Sequence, residues 1–132
     1  MSTSESGDGA IDFNAWIDDE FARSGAFTAC VILVEIGEQS VTPIASTYLN
    51  VIGADVDWLE IVALFTGSGV LWDGAAFYPV TASDGGPLDD ADARTRLREI
   101  EVRVKAERLA INEGFFFDRQ GRRMMVEESA PQ

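Results

Sequence analysis

Residues 89–113 constrain the fold most, because they are the longest stretch of the chain with helical periodicity. Their apolar side chains recur at the spacing that places them on one face of an α-helix, and Gly114 follows as a C-terminal cap. The acidic residues at the start of the segment suit the positive end of a helix dipole. The segment therefore predicts one long helix that packs on a sheet. Its predicted core residues are Ala93, Leu97, Ile100, Val104 and Ile111.

A second apolar stripe, formed by Val102, Ala106 and Leu109, lies on the opposite side of this predicted helix. A helix that rests on a sheet with its back in water needs only one such stripe. Leaving Val102 and Leu109 in water would forgo about 3 kcal/mol of burial. Two coverings are open. Either the C-terminal hairpin folds back over the stripe, or the helix packs against its copy in a two-fold homodimer.

Charge is distributed unevenly along the 132 residues, whose formal net charge is −13. Residues 1–93 contain sixteen acidic residues against Arg23, whereas residues 94–132 contain nine basic and seven acidic residues. This asymmetry is satisfied either by pairing of the two parts within the molecule or by pairing between molecules. Because affinity for nucleic acid comes mainly from Lys and Arg, we expect neither nucleic acid nor an anionic membrane as a partner.

The first half of the chain predicts two short helices and a hairpin. Residues 12–24 have an aromatic stripe at helical spacing, with Asp12 as the N-cap. Phe27–Ile36 is a strand covered on most of both faces, and residues 40–51 are a second strand whose Pro43 places its beginning at a sheet edge. We expect this hairpin at the centre of the sheet. Asp57 begins a short, largely buried helix that ends at Gly67.

Two further hairpins are predicted from turn residues. Asp73-Gly74 is a favoured two-residue turn between apolar runs, and a turn from Asp118 to Gly121 joins two short strands near the C-terminus. The fold class is therefore α+β, a single domain over residues 11–126. Its mostly antiparallel sheet of three hairpins packs with one long and two shorter helices, in the order α-β-β-α-β-β-α-β-β.

The two ends of the chain have polar, acidic compositions. Residues 1–10 are expected to be a disordered acidic tail, and residues 127–132 a frayed C-terminal tail. The first residues lack the basic and apolar regions of a signal peptide, and no apolar run is long enough to cross a bilayer. We therefore expect a cytoplasmic protein.

The residue types present exclude several classes of catalytic site. The chain has no histidine and one cysteine, so triads that use histidine are impossible. Cys30 lies in the most apolar predicted strand, where a thiol is an inert small hydrophobe. The acidic residues around position 89 do not match the calcium-loop spacing and suit a helix N-terminus. We expect no metal and no cofactor.

Tryptophan and carboxylate residues are concentrated between positions 55 and 78, which makes this region a candidate pocket. A carboxyl group raised in pKa by aromatic surroundings can act as a general acid or base. Capping and turn formation are the alternative roles for these carboxylates. The pocket candidates are Asp55, Asp57, Trp58, Glu60, Trp72, Asp73 and Tyr78.

Arg119, Arg122 and Arg123 form the densest basic cluster, beside the last predicted turn. They are either solvated or paired internally, or they anchor an acidic partner. With the missing catalytic residue types and the second apolar stripe, this favours a non-catalytic protein-interaction module, an accessory subunit, chaperone or inhibitor of another protein. The alternative is a small-molecule-binding protein or a histidine-free enzyme. The interaction candidates are Val102, Ala106, Leu109, Arg119, Arg122 and Arg123.

Overall fold

The computed structural model describes residues 4–38, 40–53 and 56–126. Five strands form one antiparallel sheet with helices on both faces, which confirms the predicted α+β class. None of the helices in these ranges is long and apolar enough to cross a membrane. The helices are α1 (Ser4–Ser24), α2 (Trp58–Gly67) and α3 (Asp90–Ala106), and a 3-10 helix follows at Arg108–Glu113. The strands are β1 (Phe27–Ile36), β2 (Val41–Val51), β3 (Gly74–Val80), β4 (Phe115–Asp118) and β5 (Arg123–Met124).

The strands lie in the order β2-β1-β3-β4-β5, and every neighbouring pair is antiparallel. Strand β1 is buried from Phe27 to Val34 because helices cover both faces of the sheet beside it. Its side chains alternate between two cores: Val31 and Leu33 face α1 and α2, whereas Ile32 and Val34 face α3. The prediction of a strand covered on both faces is confirmed.

The larger core lies between the sheet and the helices α1 and α2, and aromatic rings fill it. The ring centroid of Phe13 lies 4.7 Å from that of Trp58, 5.2 Å from that of Phe77 and 5.3 Å from that of Phe117. The smaller core lies beneath α3 and the 3-10 helix. It contains Ile32, Val34, Ala76, Val104, Ala110, Ile111, Phe116 and Val126.

Helix α1 begins earlier than predicted, at Ser4, within the segment expected to be a tail. Asp12 therefore lies inside the helix and is not its N-cap. Its carboxylate accepts a hydrogen bond of 2.8 Å from the backbone N–H of Arg123, which ties α1 to β5. The first three residues and the predicted frayed tail at 127–132 lie outside the described residues.

The hairpin predicted around Asp73-Gly74 is wrong, because the described residues between α2 and β3 contain no strand that could pair with β3. The backbone N–H of Asp73 donates to the carbonyl of Val34 at 2.8 Å, and its carboxylate accepts from the N–H of Ile36 at 2.8 Å. Asp73 thus closes the end of β1. The central strand is β3, and β2 is the edge strand that Pro43 predicts, so the first hairpin is not central.

The long helix predicted over residues 89–113 ends at Ala106. Glu107 is extended, with φ −146° and ψ 104°, and the chain continues as the 3-10 helix. This break turns Ala110 and Ile111 into the smaller core, where they are 2% and 0% exposed. In a continuous helix, the consecutive residues Leu109, Ala110 and Ile111 would point in different directions and could not all face the same core. Tertiary packing therefore overrides the local propensity of this segment for α-helix. The predicted core residues of this segment all face inward.

Candidate functional site

Strand β2 forms one outer edge of the sheet, and among the described residues no strand pairs with its outer side. None of its eleven residues is charged, although 25% of the chain is. The opposite edge strand, β5, has two residues, and one of them is arginine. Natural proteins protect exposed edges by shortness, charge, proline or bulges. The two edges of this sheet are therefore very different, and β2 is the one available for further pairing.

Protection of β2 is confined to its first residues. The register with β1 shifts between Leu33 and Val34, which pair with Ala45 and Pro43, so Ile44 forms a bulge. From Ala45 onward the pairing is regular to the end of the strand. Because Val51 is fully buried, residues 45–50 therefore offer an uninterrupted outer edge about 20 Å long.

A groove, called here the outer groove, runs between this edge and the C-terminal half of α2. Its volume is about 300 Å³, and no charged side chain lines it. Leu64 projects into it from α2 and is 59% exposed. The groove extends the uncharged surface of β2 onto the neighbouring helix. Its lining residues are Leu33, Ala45, Ser46, Thr47, Leu64, Phe65, Ser68 and Val70.

The opposite face of β2 rests on α3 through polar contacts. The Ser46 hydroxyl bonds to the carboxylate of Glu101, and the Tyr48 hydroxyl bonds to that of Asp90. The bond from Tyr48 holds the pKa of Asp90 below its usual value. Lys105 and Glu101 border a second cavity, of about 180 Å³, on this side. Helix α3 therefore supports the outer strand from behind and leaves its edge open.

The tryptophans of the predicted pocket belong to the aromatic core. Trp58 is 1% exposed and Trp72 is 3% exposed, and their ring centroids lie 6.2 Å apart. The indole N–H of Trp58 donates to the carbonyl of Arg119 at 2.9 Å. A depression of about 170 Å³ touches Trp72, with Asp73 and Arg119 beside it. The rings of Trp58 and Trp72 therefore pack within the filled core.

The predicted pocket carboxylates have separate structural roles. Asp57 caps α2 by accepting from the N–H of Leu59 at 3.1 Å, and Asp73 closes β1 as described above. Glu60 is exposed in the first turn of α2, and Asp55 lies outside the described residues. The expected largely buried α2 is also wrong, because Leu59 and Leu64 are 72% and 59% exposed.

Tyr78 lies in the smaller core, on the other face of the sheet from the two tryptophans. Its hydroxyl donates to the carbonyl of Ala110 at 2.9 Å, which holds the 3-10 helix against β3. Burial raises the pKa of this phenol. Of the described pocket candidates, Trp58 and Trp72 therefore lie together in the larger core, whereas Tyr78 lies on the other face of the sheet.

Cys30 is fully buried in β1, and burial raises the pKa of its thiol to about 11. The thiolate that nucleophilic chemistry requires is therefore scarce near neutral pH. Within the described residues, no group of three or more histidine, cysteine or acidic side chains is placed to hold a metal ion.

The three arginines of the basic cluster make different local contacts. The Arg122 guanidinium pairs with Asp118 at 3.0 Å within the turn. The guanidinium carbon of Arg123 lies 4.7 Å from the ring centroid of Phe115, and that of Arg119 lies 5.8 Å from the Trp72 ring. Two of the three side chains therefore cover aromatic rings of the core, at a typical cation–π distance.

The predicted second stripe of the long helix does not exist as one surface. Val102 is 63% exposed on α3, whereas Leu109 is in the 3-10 helix and packs against the smaller core. Ala106 is exposed at the end of α3. Val102 is therefore left uncovered in the described structure, and a two-fold homodimer through α3 stays a prediction.

The ion pairs between described residues are all local in the fold. Three join residues three or four positions apart within a helix, Arg122–Asp118 closes a turn, and Arg103–Glu113 joins the end of α3 to the 3-10 helix. Only the helical pair Arg94–Asp90 joins residues 94–132 to residues 1–93. Among the described side chains, the predicted internal pairing of the two parts is therefore limited to this one local pair.

Sequence reasoning missed the outer groove as a binding surface. The sequence does contain one indication of it, because residues 40–52 include no charged residue. Only the strand order shows that this segment is an edge of the sheet. A second signal was the number of apolar residues in α2, since Leu59 and Leu64 lie beyond its buried side. Comparison with protein-family models, with curated proteins and with solved structures gives no match.

Proposed function

We propose that this chain is a non-catalytic protein-interaction module that acts as an accessory subunit, chaperone or inhibitor of another protein. The observation that carries the proposal is the uncharged outer edge of β2 beside the outer groove. An exposed edge of this length offers free main-chain donors and acceptors to a partner. In this reading, the partner binds at β2 and not at the predicted stripe of the long helix.

An exposed apolar side chain in the groove supports a protein partner. Leu64 lines the groove and is 59% exposed. Exposed apolar groups in a binding groove are typical of interaction surfaces. A partner that covers them contributes burial at about 25 cal/mol per Å² of apolar surface.

The alternative of a small-molecule-binding protein or a histidine-free enzyme has weaker support. Trp58 and Trp72 are buried in the core, and Tyr78 lies on the other face of the sheet. The carboxylates Asp57 and Asp73 are occupied in capping a helix and a strand. No specific observation on the described residues favours this alternative.

The proposal is tested by comparing partner recovery from the native host with tagged wild-type protein and with the variant Leu64→Lys. This substitution places a charge in the uncharged groove at a side chain that is already exposed, so the fold is expected to persist. We expect a stoichiometric protein partner with the wild type and at least about a tenfold loss with the variant, which corresponds to about 1.4 kcal/mol.

The matched control is Leu59→Lys on the same helix. Leu59 is 72% exposed and does not line the groove, so recovery of the partner should be unchanged. Equal recovery with Leu64→Lys and the wild type would contradict the assignment of the surface. Recovery of no stoichiometric protein with the wild type would contradict the proposed function itself.

A further inference from the structure

We infer that the partner presents an extended segment with flanking basic residues, which adds to β2 as a sixth strand and places an apolar side chain in the outer groove. This inference rests on the proposed function and gives the chemistry of the segment that the same surface recognises.

The main chain of β2 supports strand addition. Residues 45–50 continue the regular antiparallel ladder with β1 and are not fully buried, so their outward N–H and C=O groups lie in the plane of the sheet. Hydrogen bonds to these groups give affinity without depending on the partner's side chains. The bulge at Ile44 and the proline before it limit pairing at the other end of the strand. The expected register therefore begins at Ala45.

The groove supplies a place for side chains of the added strand. Alternate side chains of a sixth strand point to the same sheet face as Ala45 and Thr47, which is the face that α2 borders. Leu64 and Val70 form the far wall there. An apolar side chain of the partner fits this lining, since a buried charge would find no described ion-pair partner in it.

The charge around the groove decides the sign of the flanking residues. The groove is built from residues 33–70, and the segment from Leu33 to Asp73 contains six acidic residues and no lysine or arginine. Two basic side chains of the described residues line other cavities. Lys105 borders the cavity on the α3 side of β2, and Arg119 borders the depression beside Trp72. Lysine or arginine next to the apolar anchor is therefore complementary to the negative charge of this segment of the chain.

A second copy of the chain fits the surface less well than a basic segment. Pairing of β2 with its own copy would bring together two chains that each carry a net charge of −13. Such self-repulsion opposes association, particularly at low ionic strength. A basic segment gains from the same field, so it is the occupant that the charge distribution favours.

The test begins with selection of random peptides of about twelve residues, a length that covers the regular edge, against the immobilised full chain. We expect the enriched peptides to contain alternating apolar residues flanked by lysine or arginine. The best of them is then synthesised and its Kd is measured by fluorescence anisotropy. Replacing its basic residues with glutamate should weaken binding at least about tenfold, and added salt should weaken the parent peptide.

Main-chain pairing is tested by N-methylation of the selected peptide, one residue at a time. Methyl groups on amides that face β2 should abolish binding, whereas those on the alternating amides should leave it nearly unchanged. The variant Leu64→Lys should lose at least about tenfold in affinity, and Leu59→Lys should bind as the wild type does.

Three results would overturn the inference. The first is that no peptide is enriched. The second is that N-methylation weakens binding equally at successive residues of the peptide. The third is a solution mass twice that of the chain which returns to the single-chain value in Leu64→Lys, since this would assign the edge to a second copy. If the host partner depends on Leu64 while the peptide results fail, the proposed function stands and only strand addition is wrong. If the host partner is absent and peptides bind as expected, the surface is a peptide site and the proposed function fails.

Discussion

At the residue scale, Gly114 shows how close packing, and not backbone freedom, can require glycine. Sequence reasoning assigns it as the cap of a long helix, and its N–H does bond to the carbonyl of Ile111 at 3.1 Å. A Cβ atom at this position would lie 2.8 Å from the carbonyl oxygen of Phe77 and 2.8 Å from the ring of Tyr78. Its φ of −100° is one that any residue can adopt. The neighbouring strand, and not the backbone conformation, therefore excludes a side chain at this position.

The substitution Gly114→Ala is therefore expected to lower the free energy of unfolding by about 1–3 kcal/mol, because the methyl group must displace the backbone of β3. The matched control is Gly67→Ala, where a Cβ meets nothing within 4 Å at the end of α2. That change should be neutral or slightly stabilising, since alanine favours helix by up to about 1 kcal/mol. Urea unfolding measures both, and equal effects would show that β3 and Gly114 are not in close contact.

At the element scale, α3 has one buried and one exposed side, and it ends where the smaller core needs the chain to turn. Val104 is 2% exposed against the sheet, whereas Val102, two positions earlier, is 63% exposed. The helical spacing predicted the buried side correctly. The exposed side was predicted to continue through Leu109, which the 3-10 helix instead turns inward.

Alanine substitutions at these two valines should separate the two sides. Val104→Ala is expected to cost about 2 kcal/mol of unfolding free energy, because it removes two buried methyl groups and leaves a cavity. Val102→Ala should lie within about 0.5 kcal/mol of the wild type, because alanine has the higher helix propensity and little burial is lost. Chemical denaturation gives both values. A large loss for Val102→Ala, together with a halved solution mass, would support the homodimer through α3.

At the scale of the whole molecule, the excess negative charge is not offset by long-range ion pairs among the described residues. The ion pairs are local and exposed at one partner or both, so each contributes little to stability. Repulsion among the remaining acidic groups therefore opposes folding.

Added salt should consequently stabilise the protein. Raising sodium chloride from about 0.01 M to about 0.15 M shortens the Debye length from about 30 Å to about 8 Å, which screens the net repulsion. We expect the midpoint of urea unfolding to rise. The double variant Asp18→Asn and Asp19→Asn, which removes two exposed charges from α1, should respond less to salt. A midpoint that falls with salt would show that attractive pairs dominate.

The sequence by itself determined the class of the fold and most of its elements. Helical spacing, runs of β-branched residues and turn residues are local physical signals, so β1, β2, α2, the C-terminal hairpin and the buried side of α3 could be predicted from them. Pro43 also indicated an edge strand, because proline has no backbone N–H to donate to a neighbouring strand. The same local signals failed at Asp73, whose turn chemistry serves the end of β1 instead of a hairpin.

Only the tertiary structure decided which surfaces are free. An uncharged segment such as residues 41–51 is equally compatible with a central strand and with an edge, and the difference depends on pairing between residues distant in the chain. The end of α3 was likewise decided by the space that Ala110 and Ile111 fill in the smaller core. Burial and strand order are properties of the assembled sheet, and no local pattern contains them. The sequence therefore determines the uncharged composition of the candidate site, and the tertiary structure determines that this segment lies at an exposed edge of the sheet.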